Sequence, residues 1–272
     1  MKPYNSRVSL SEKKGDNFEN GEEKRNDVVF GRNAVSELLK TDRPIECIYI
    51  QKGELRGSIT KIAAIAKERS IPVKEVQPQK LESLAMSQNH QGVAALAAAY
   101  AYSELDDILK RCENKQALII IADSIEDPHN LGAIIRTAEA AGADGIIIPK
   151  RNSAGLTGTV AKTSAGAIEH IPVARVANLT DAIKKLKQHG IWVYAADMGG
   201  ASWCQTDFKG SVALVIGSEG SGVSRLVKEN CDFIVSLPMC GKINSLNASV
   251  AAGEMFYGNC RRRLLYSLSY TY

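Results

Sequence analysis

The sequence predicts an α/β protein with two domains, and three observations support this fold class. Segments of strand length alternate with segments of helical periodicity along most of the 272 residues. Two continuous apolar runs, 117–122 and 212–216, are typical of buried strands in a parallel sheet. A polar and charged stretch at 101–116 separates two halves, and each half is long enough to form an ordinary domain.

The N-terminal half is predicted to be a tail followed by a small α/β domain. Residues 1–27 carry six basic and six acidic side chains without a hydrophobic period, so we expect a disordered tail. In the domain at 28–100, an opening strand at 28–31 precedes helices at 33–40, 58–69 and 81–86, which alternate with strands beginning at 45, 71 and 92. His90 precedes the last strand. A structural turn histidine is the favoured interpretation, and an RNA contact is the second.

The C-terminal half is predicted to be a larger α/β domain. We interpret residues 101–116 as a linker that contains a helical turn, and residues 117–272 as the second domain. Its predicted strands lie at 117–122, 145–149, 172–176, 191–196, 212–216 and 233–237. Its predicted helices lie at 131–141, 153–166, 179–189, 223–230 and 246–263. Asn130 is a suitable N-cap for the first of these helices.

The composition narrows the class of protein. No apolar run approaches the 18 residues that a membrane span needs, and the polar N-terminus does not resemble a signal peptide. The six cysteines are scattered without a C-x-x-C pair, which favours reduced thiols, no metal site and a cytoplasmic location. A net charge of +4 permits an anionic partner. It does not require one, because a mildly basic charge also aids solubility.

Two glycine-rich loops, 217–222 and 238–245, each follow an apolar strand and mark the predicted binding site. Ligands of α/β proteins bind at the carboxyl ends of strands, and glycine lets the backbone approach a ligand closely. The glycine spacing fits neither the Rossmann fingerprint nor a P-loop, and no serine lies in a G-x-S-x-G elbow. A single such loop is more often a turn, but two together favour a nucleotide-like ligand.

Three motifs resemble those of the SpoU/TrmH family of RNA ribose methyltransferases. The first comprises Asp123, Asp127, Pro128, Asn130, Gly132, Arg136, Thr137, Ala138, Ala140 and Gly142. The second comprises Ile216, Gly217, Ser218, Glu219, Gly220 and Gly222, and the third comprises Leu237, Pro238, Met239, Gly241, Ser245, Leu246, Asn247, Ser249, Val250 and Ala251. The segments at 89–92 and 149–154 are similar to the branch that methylates a 23S rRNA guanosine. The resemblance covers residues 28 to about 263.

The resemblance implies a fold, a cofactor and partners. It implies a SPOUT domain with a deep trefoil knot, preceded by an RNA-binding domain similar to ribosomal proteins. It implies S-adenosylmethionine as cofactor, a homodimer, and 2′-O-methylation of a guanosine in 23S rRNA, with the peptidyl-transferase P loop as the favoured target. Two alternatives are a tRNA guanosine 2′-O-methyltransferase and a non-catalytic RNA-binding ribosome-assembly protein with the same fold.

The resemblance also assigns residues to the site. The cofactor-binding set is Ile216, Gly217, Leu237, Met239, Ser245, Leu246 and Ala195. The catalytic set is Arg136, Asn130, Glu219, Ser245 and Asn247. Ordinary core packing is the competing interpretation for Leu237 and Leu246, and helix capping is the competing interpretation for Asn130 and Asn247.

The resemblance implies that Arg136 activates the ribose 2′-hydroxyl of the substrate, and two mechanisms for this activation are open. Arginine is effectively always protonated, so one possibility is a transient loss of that proton beside the substrate phosphate. In the favoured mechanism, the Arg136 guanidinium binds the substrate phosphate, and its positive charge lowers the pKa of the ribose hydroxyl. Helix spacing alone instead favours an ion pair between Arg136 and Glu139.

Overall fold

The computed structural model describes residues 26–53, 56–242 and 245–269, and side-chain environments up to residue 258. Residues 26 and 27 begin the first strand, and the rest of the tail predicted at 1–27 lies outside the described residues. The prediction of an α/β protein with a parallel sheet is confirmed. The deep trefoil knot stays a prediction.

The first domain is a small sheet with helices on both faces. Its described elements are β1 (Asn26–Phe30), α1 (Arg32–Leu38), β2 (Ile45–Gln51), α2 (Ser58–Glu68), β3 (Val73–Val76), α3 (Pro78–Ala85) and β4 (Val93–Ala98). The sheet order is β1-β4-β2-β3, with β2 and β3 parallel and the other pairs antiparallel. Leu38 and Ile62 bury apolar surface on one face, and Phe30 and Leu81 do so on the other.

His90 is 5% exposed and its Nδ1 accepts a hydrogen bond from the Gly92 N–H, as the structural interpretation expects.

The stretch predicted as a linker contains a helix, α4 (Leu105–Arg111), which packs on the second domain. Ile108 is fully buried, and a Cβ at Gly145 would overlap its side chain. Ser103 pairs with Ala174 through a parallel bridge. The apolar pair Ile108 and Leu109 therefore contributes to the core of the second domain, although the surrounding residues are polar.

In its described residues, the second domain contains a six-stranded parallel sheet. Its strands are β5 (Leu118–Ala122), β6 (Gly145–Pro149), β7 (Val173–Val176), β8 (Trp192–Ser202), β9 (Val212–Ile216) and β10 (Phe233–Ser236). Its helices are α5 (Pro128–Ala140), α6 (Gly158–Thr163), α7 (Leu179–Gln188), α8 (Arg225–Asn230) and α9 (Ala248–Ser269), with a short 3₁₀ helix at Ala167–Glu169. The strand order is β10-β8-β9-β5-β6-β7. Every residue of the central strands β5 and β9 is buried, which explains their continuous apolar sequences.

Two elements differ from the sequence prediction in ways that shape the site. Helix α5 begins at Pro128, and the Asp127 side chain, rather than Asn130, caps it by accepting from the His129 N–H at 2.9 Å. Strand β8 continues to Ser202, whereas the prediction ended it at residue 196. Its register against β10 shifts between the pairs of Ile234 and Val235, so the intervening residues of β8 form an irregular segment.

The two domains share a polar interface. The Arg43 guanidinium pairs with Glu169 at 2.9 Å, and the Tyr100 hydroxyl donates to the same carboxylate at 2.8 Å. Glu37 pairs with His170 at 2.9 Å. The Arg43 and Glu169 side chains are only 11% and 5% exposed, so this ion pair is largely removed from solvent. The first domain is thus held against the 3₁₀ helix of the second.

Candidate active site

A cleft of about 340 Å³ opens at the carboxyl ends of β8, β9 and β10, beside the start of α9. Parallel sheets bind ligands at this edge. Ile216, Leu237, Met239 and Leu246 supply an apolar wall. Met239 and Leu246 are 38% and 40% exposed, so Leu246 does not pack in the core as the competing interpretation required. Exposed apolar side chains in a cleft suit the faces of a flat organic ring.

The loop after β9 is held in one shape by contacts that require glycine. A Cβ at Gly217 would overlap the backbone of Gly222, which itself has a positive φ of 65°. The backbones of Ser218 and Gly222 exchange two hydrogen bonds of 3.2 and 2.9 Å. The buried Asp123 carboxylate accepts from the Ser224 N–H at 2.7 Å and ties the loop to the end of β5. The loop therefore presents its backbone to the cleft without reorganising.

Three polar side chains, one from each motif, meet at the rim of this cleft. The Asn130 amide donates to Glu219 Oε1 at 2.8 Å. The Asn247 amide donates to Asn130 Oδ1 at 3.0 Å and also to Glu219 Oε1. We call Asn130, Glu219 and Asn247 the rim cluster. A second, polar cavity beside it is lined by Asn130 and Glu219 together with Ser124, Asp127 and Asn152. The rim cluster thus stands between an apolar cleft and a polar cavity.

Asn247 has a second role, which its competing interpretation anticipated. Its Oδ1 accepts from the Ser249 N–H at 2.9 Å and so caps the N-terminus of α9. Asn130 differs, because Asp127 takes the capping position of α5 and leaves the Asn130 side chain free for the rim cluster.

Arg136 lies on α5, in the helix that begins two residues before Asn130, and its side chain is exposed. Within the described residues its guanidinium has no hydrogen-bond or ion-pair partner, so the pair with Glu139 that helix spacing favours is not formed. Arg136 does not line either cavity. An exposed guanidinium without a partner among the described residues suits a phosphate that arrives with the substrate.

The cleft contains five of the predicted cofactor residues besides Ile216, and the structure adds others. Gly217, Leu237, Met239, Ser245 and Leu246 line it. Ala195 does not, because it is fully buried in the core on the other face of β8, and the next residue, Ala196, lines the cleft instead. Asp197 and Met198 line it as well, although neither was predicted. Their only signal was a polar and glycine-rich segment directly after a strand.

The part of the chain that the structure describes contains neither a metal-binding cluster nor a membrane-spanning helix. Its His, Cys, Asp and Glu side chains form no group of three that could hold a metal ion. None of the helices in that part is long and apolar enough to cross a membrane.

Comparison with known proteins then decides the family. The SpoU rRNA Methylase family profile matches residues 117–257. This chain belongs to the SpoU rRNA methylase family. A second profile, for RNA 2′-O ribose methyltransferase substrate binding, matches residues 28–103 of this SpoU methylase. The resemblance drawn from the three motifs is confirmed, and the chain is an RNA 2′-O-ribose methyltransferase of the SpoU/TrmH type.

Relatives of this SpoU methylase extend over both domains. It is 49% identical over 246 residues to YacO of Bacillus subtilis strain 168, assigned to the TrmH family of tRNA/rRNA methyltransferases, covering 88% of this chain and 97% of the relative. Among solved structures, AdoMet-bound rRNA methyltransferase from Sinorhizobium meliloti superposes with a TM-score of 0.73 and 28% identity, covering 89% of each chain. AviRb from Streptomyces viridochromogenes, in complex with AdoMet, superposes with a TM-score of 0.72 and 25% identity, covering 88% of this chain and 91% of the AviRb chain.

Proposed function

We propose that this SpoU methylase transfers a methyl group from S-adenosylmethionine to the ribose 2′-hydroxyl of a guanosine in 23S rRNA. The observation that carries the proposal is the rim cluster, in which residues from three separate motifs share hydrogen bonds at the mouth of an apolar cleft. The peptidyl-transferase P loop is the favoured target on the resemblance at 89–92 and 149–154. A cytoplasmic location, where such an RNA is found, goes with this proposal.

The apolar cleft suits the proposed cofactor. When bound, S-adenosylmethionine supplies an activated methyl group. Leu237, Met239 and Leu246 offer apolar surface to its adenine, while the backbone at Gly217 and the Ser245 hydroxyl offer polar contacts. AdoMet is bound by two of the similar solved structures, which supports the same cofactor here.

The rim cluster suits the acceptor ribose. Both amides donate to Glu219 Oε1, which orients the carboxylate and fixes the positions of Asn130 and Asn247. A hydroxyl that enters from the polar cavity meets these oxygen acceptors beside the cleft, so the cluster aligns it with the methyl group. Arg136 then clamps the adjacent phosphate, and its charge favours the ionised hydroxyl.

The ribosomal RNA target is supported by a solved rRNA methyltransferase that matches both domains. Solved relatives that match both domains include the S. meliloti rRNA methyltransferase. The Aquifex aeolicus TrmH/SpoU tRNA modifying enzyme matches only 60% of this chain, with a TM-score of 0.52 and 26% identity. The additional domain at 28–100 is therefore the part that we assign to recognising the larger RNA.

A homodimer is part of the proposal. Helix α9 buries Ala252, Met255 and Phe256 within its own protomer, while Val250 and Tyr257 remain 50% and 53% exposed seven positions apart. Residues with this spacing share one helix face. We assign that exposed face to contact with a second copy.

Methyl transfer to defined RNAs tests the proposed function. The protein is incubated with S-adenosylmethionine carrying a labelled methyl group and with either 23S rRNA transcript or a tRNA pool, and the modified ribose is mapped. We expect label at a guanosine of 23S rRNA, and none after Glu219→Ala. Label in tRNA alone would favour the tRNA alternative, and cofactor binding without transfer to either RNA would overturn the proposed 23S rRNA target.

A further inference from the structure

Asp197 occupies a position in the cleft that none of the three motifs includes. It follows the regular part of β8, where the strand leaves its pairing register with β10. The next residues turn sharply, since Gly199 has a positive φ of 77° and Gly200 packs directly on the backbone of Ile234. This irregular segment turns Asp197 into the cleft, with its side chain only 14% exposed.

The other hydrogen-bonding side chains around Asp197 already have partners within the protein. Glu219 is shared by the two amides of the rim cluster. The Ser218 and Ser221 hydroxyls bond each other at 2.7 Å, and Ser236 donates to the Gly200 carbonyl at 2.9 Å. Asp197 and Glu219 are the charged side chains that line the described part of the cleft, and Glu219 already receives both amides of the rim cluster.

Asp197 is held in place by two contacts. Its Oδ1 accepts from the Met198 N–H at 2.7 Å. Its Oδ2 is buried and forms an ion pair with the Lys228 ammonium from α8. The ion pair fixes the orientation of the carboxylate, and Oδ1 has a second lone pair that can accept from a donor on a ligand. Lys228 is thus a positioning residue for Asp197.

The location of Asp197 indicates which donor it receives. A Cβ at Gly222 would lie 3.4 Å from the Asp197 carboxylate, so Asp197 borders the side of the glycine loop that faces β8. The rim cluster borders the side that faces α5 and α9. Asp197 is therefore on a different side of the glycine loop from the rim cluster. The two hydroxyls of a ribose match a carboxylate, as in dinucleotide-binding folds where an acidic residue binds that sugar.

We propose that Asp197 binds the ribose hydroxyls of S-adenosylmethionine and that Lys228 positions it to do so. This assignment rests on the proposed function for the identity of the cofactor. It adds a charged residue to the cofactor-binding set, in which the family resemblance places none.

Calorimetric titration with S-adenosylhomocysteine tests the assignment on the full chain. Since hydrogen bonds to a charged group are among the stronger ones, Asp197→Asn should weaken binding about 10- to 100-fold. Asp207→Asn is the matched control, because Asp207 also pairs with a lysine, Lys209, but is 53% exposed and outside the cleft. It should bind as the unaltered protein does. Lys228→Gln should weaken binding by a smaller factor than Asp197→Asn.

Two further ligands distinguish the ribose from the amino acid end. The 2′,3′-dideoxy analogue of S-adenosylhomocysteine should bind the unaltered protein about 10- to 100-fold more weakly, and Asp197→Asn should weaken it little further. This loss on the unaltered protein is measurable even if the variant does not fold. 5′-Methylthioadenosine, which lacks the amino acid portion, should lose as much affinity on Asp197→Asn as S-adenosylhomocysteine does.

Two results would overturn the assignment. One is equal affinity of the unaltered protein for the dideoxy analogue and S-adenosylhomocysteine. The other is a loss on Asp197→Asn that spares 5′-methylthioadenosine, which would place the ammonium group at Asp197. If the unaltered protein bound none of these ligands, the proposed cofactor itself would be wrong, and the assignment of Asp197 would fall with it.

Discussion

Asn247 donates a hydrogen bond of 3.0 Å to Asn130, which lies 117 positions earlier in the chain. The same amide donates to Glu219, so one side chain joins the start of α5 to the loop after β9. Because Asn247 also caps α9, the residue that completes the rim cluster determines where the last helix begins. Its structural and functional roles reside on different atoms, and substitution can separate them.

Asn247→Asp and Asn247→Ala should separate those roles. Aspartate caps a helix as well as asparagine does, whereas alanine at an N-cap costs about 1 kcal/mol. Neither variant donates to Asn130, and a charged aspartate also repels Glu219. We expect methyl transfer to fall at least about 100-fold in both, with a larger loss of stability for alanine. Single-turnover rates and thermal unfolding midpoints measure the two effects, and an active Asn247→Asp protein would contradict the role given to the amide.

Arg136→Ala should abolish methyl transfer while cofactor affinity and thermal stability stay nearly unchanged. The guanidinium has no partner among the described residues and does not line the cleft, so its removal breaks no contact there. Arg136→Lys should also fail, since lysine lacks the planar fork that binds phosphate in two places. Glu139→Ala on the same helix is the control and should retain activity. A parallel loss of cofactor affinity, measured by calorimetry, would show that the assignment is wrong.

Val250→Asp should convert the proposed homodimer to a monomer. A buried, unpaired carboxylate in a contact between two copies strongly disfavours association. Leu226→Asp on α8 is the control, because Leu226 is also an exposed apolar residue, at 61%. Light scattering coupled to gel filtration should give a dimer mass for the control and a monomer mass for Val250→Asp. A monomer mass for the unaltered protein at micromolar concentration would remove the proposal.

Cys240 and Cys231 should differ sharply in their reaction with iodoacetamide. Cys240 is exposed and follows Met239 of the cleft wall. Burial, reinforced by Asp232, raises the pKa of the Cys231 thiol to about 12. Because the thiolate is the reactive form, only about one Cys231 in 10,000 is reactive at pH 8, and reactivity increases as the pH rises toward that pKa.

The same alkylation experiment can measure whether the bound cofactor protects Cys240. S-adenosylmethionine at ten times its Kd should slow alkylation of Cys240 about tenfold if it occupies the cleft. Peptide mapping by mass spectrometry resolves the individual cysteines. Alkylation of Cys240 at an unchanged rate would argue against a cofactor that covers the loop at 238–245.

Lys52→Ala should weaken the interaction with rRNA and leave the cofactor site intact. Lys52 is exposed directly after β2 in the domain that we assign to RNA binding. Loss of one phosphate contact should raise KM and reduce the slope of log affinity against log salt by about 1. Lys67→Ala, an exposed lysine on α2, is the control. An equal effect of the two substitutions would indicate only the general charge of the domain.

The periodicity of the sequence was sufficient to predict most strands and helices. The central strands β5 and β9 were predictable because both of their faces are buried, which requires an uninterrupted apolar run. The sequence also contained the information needed to predict that Asp127 caps α5. Pro128 at the first helical position favours a helix that starts there, and this signal outweighs the capping preference of Asn130.

By itself, the sequence determined which residues form strands, helices and glycine loops, because periodicity and turn preferences act between near neighbours. The tertiary structure alone decided that Asn130, Glu219 and Asn247 share hydrogen bonds, since those contacts depend on the order of strands in the sheet. It also decided that Asp197 lines the cleft. The register shift that turns this residue inward arises from pairing with β10, a strand more than thirty positions away, and no local pattern records it.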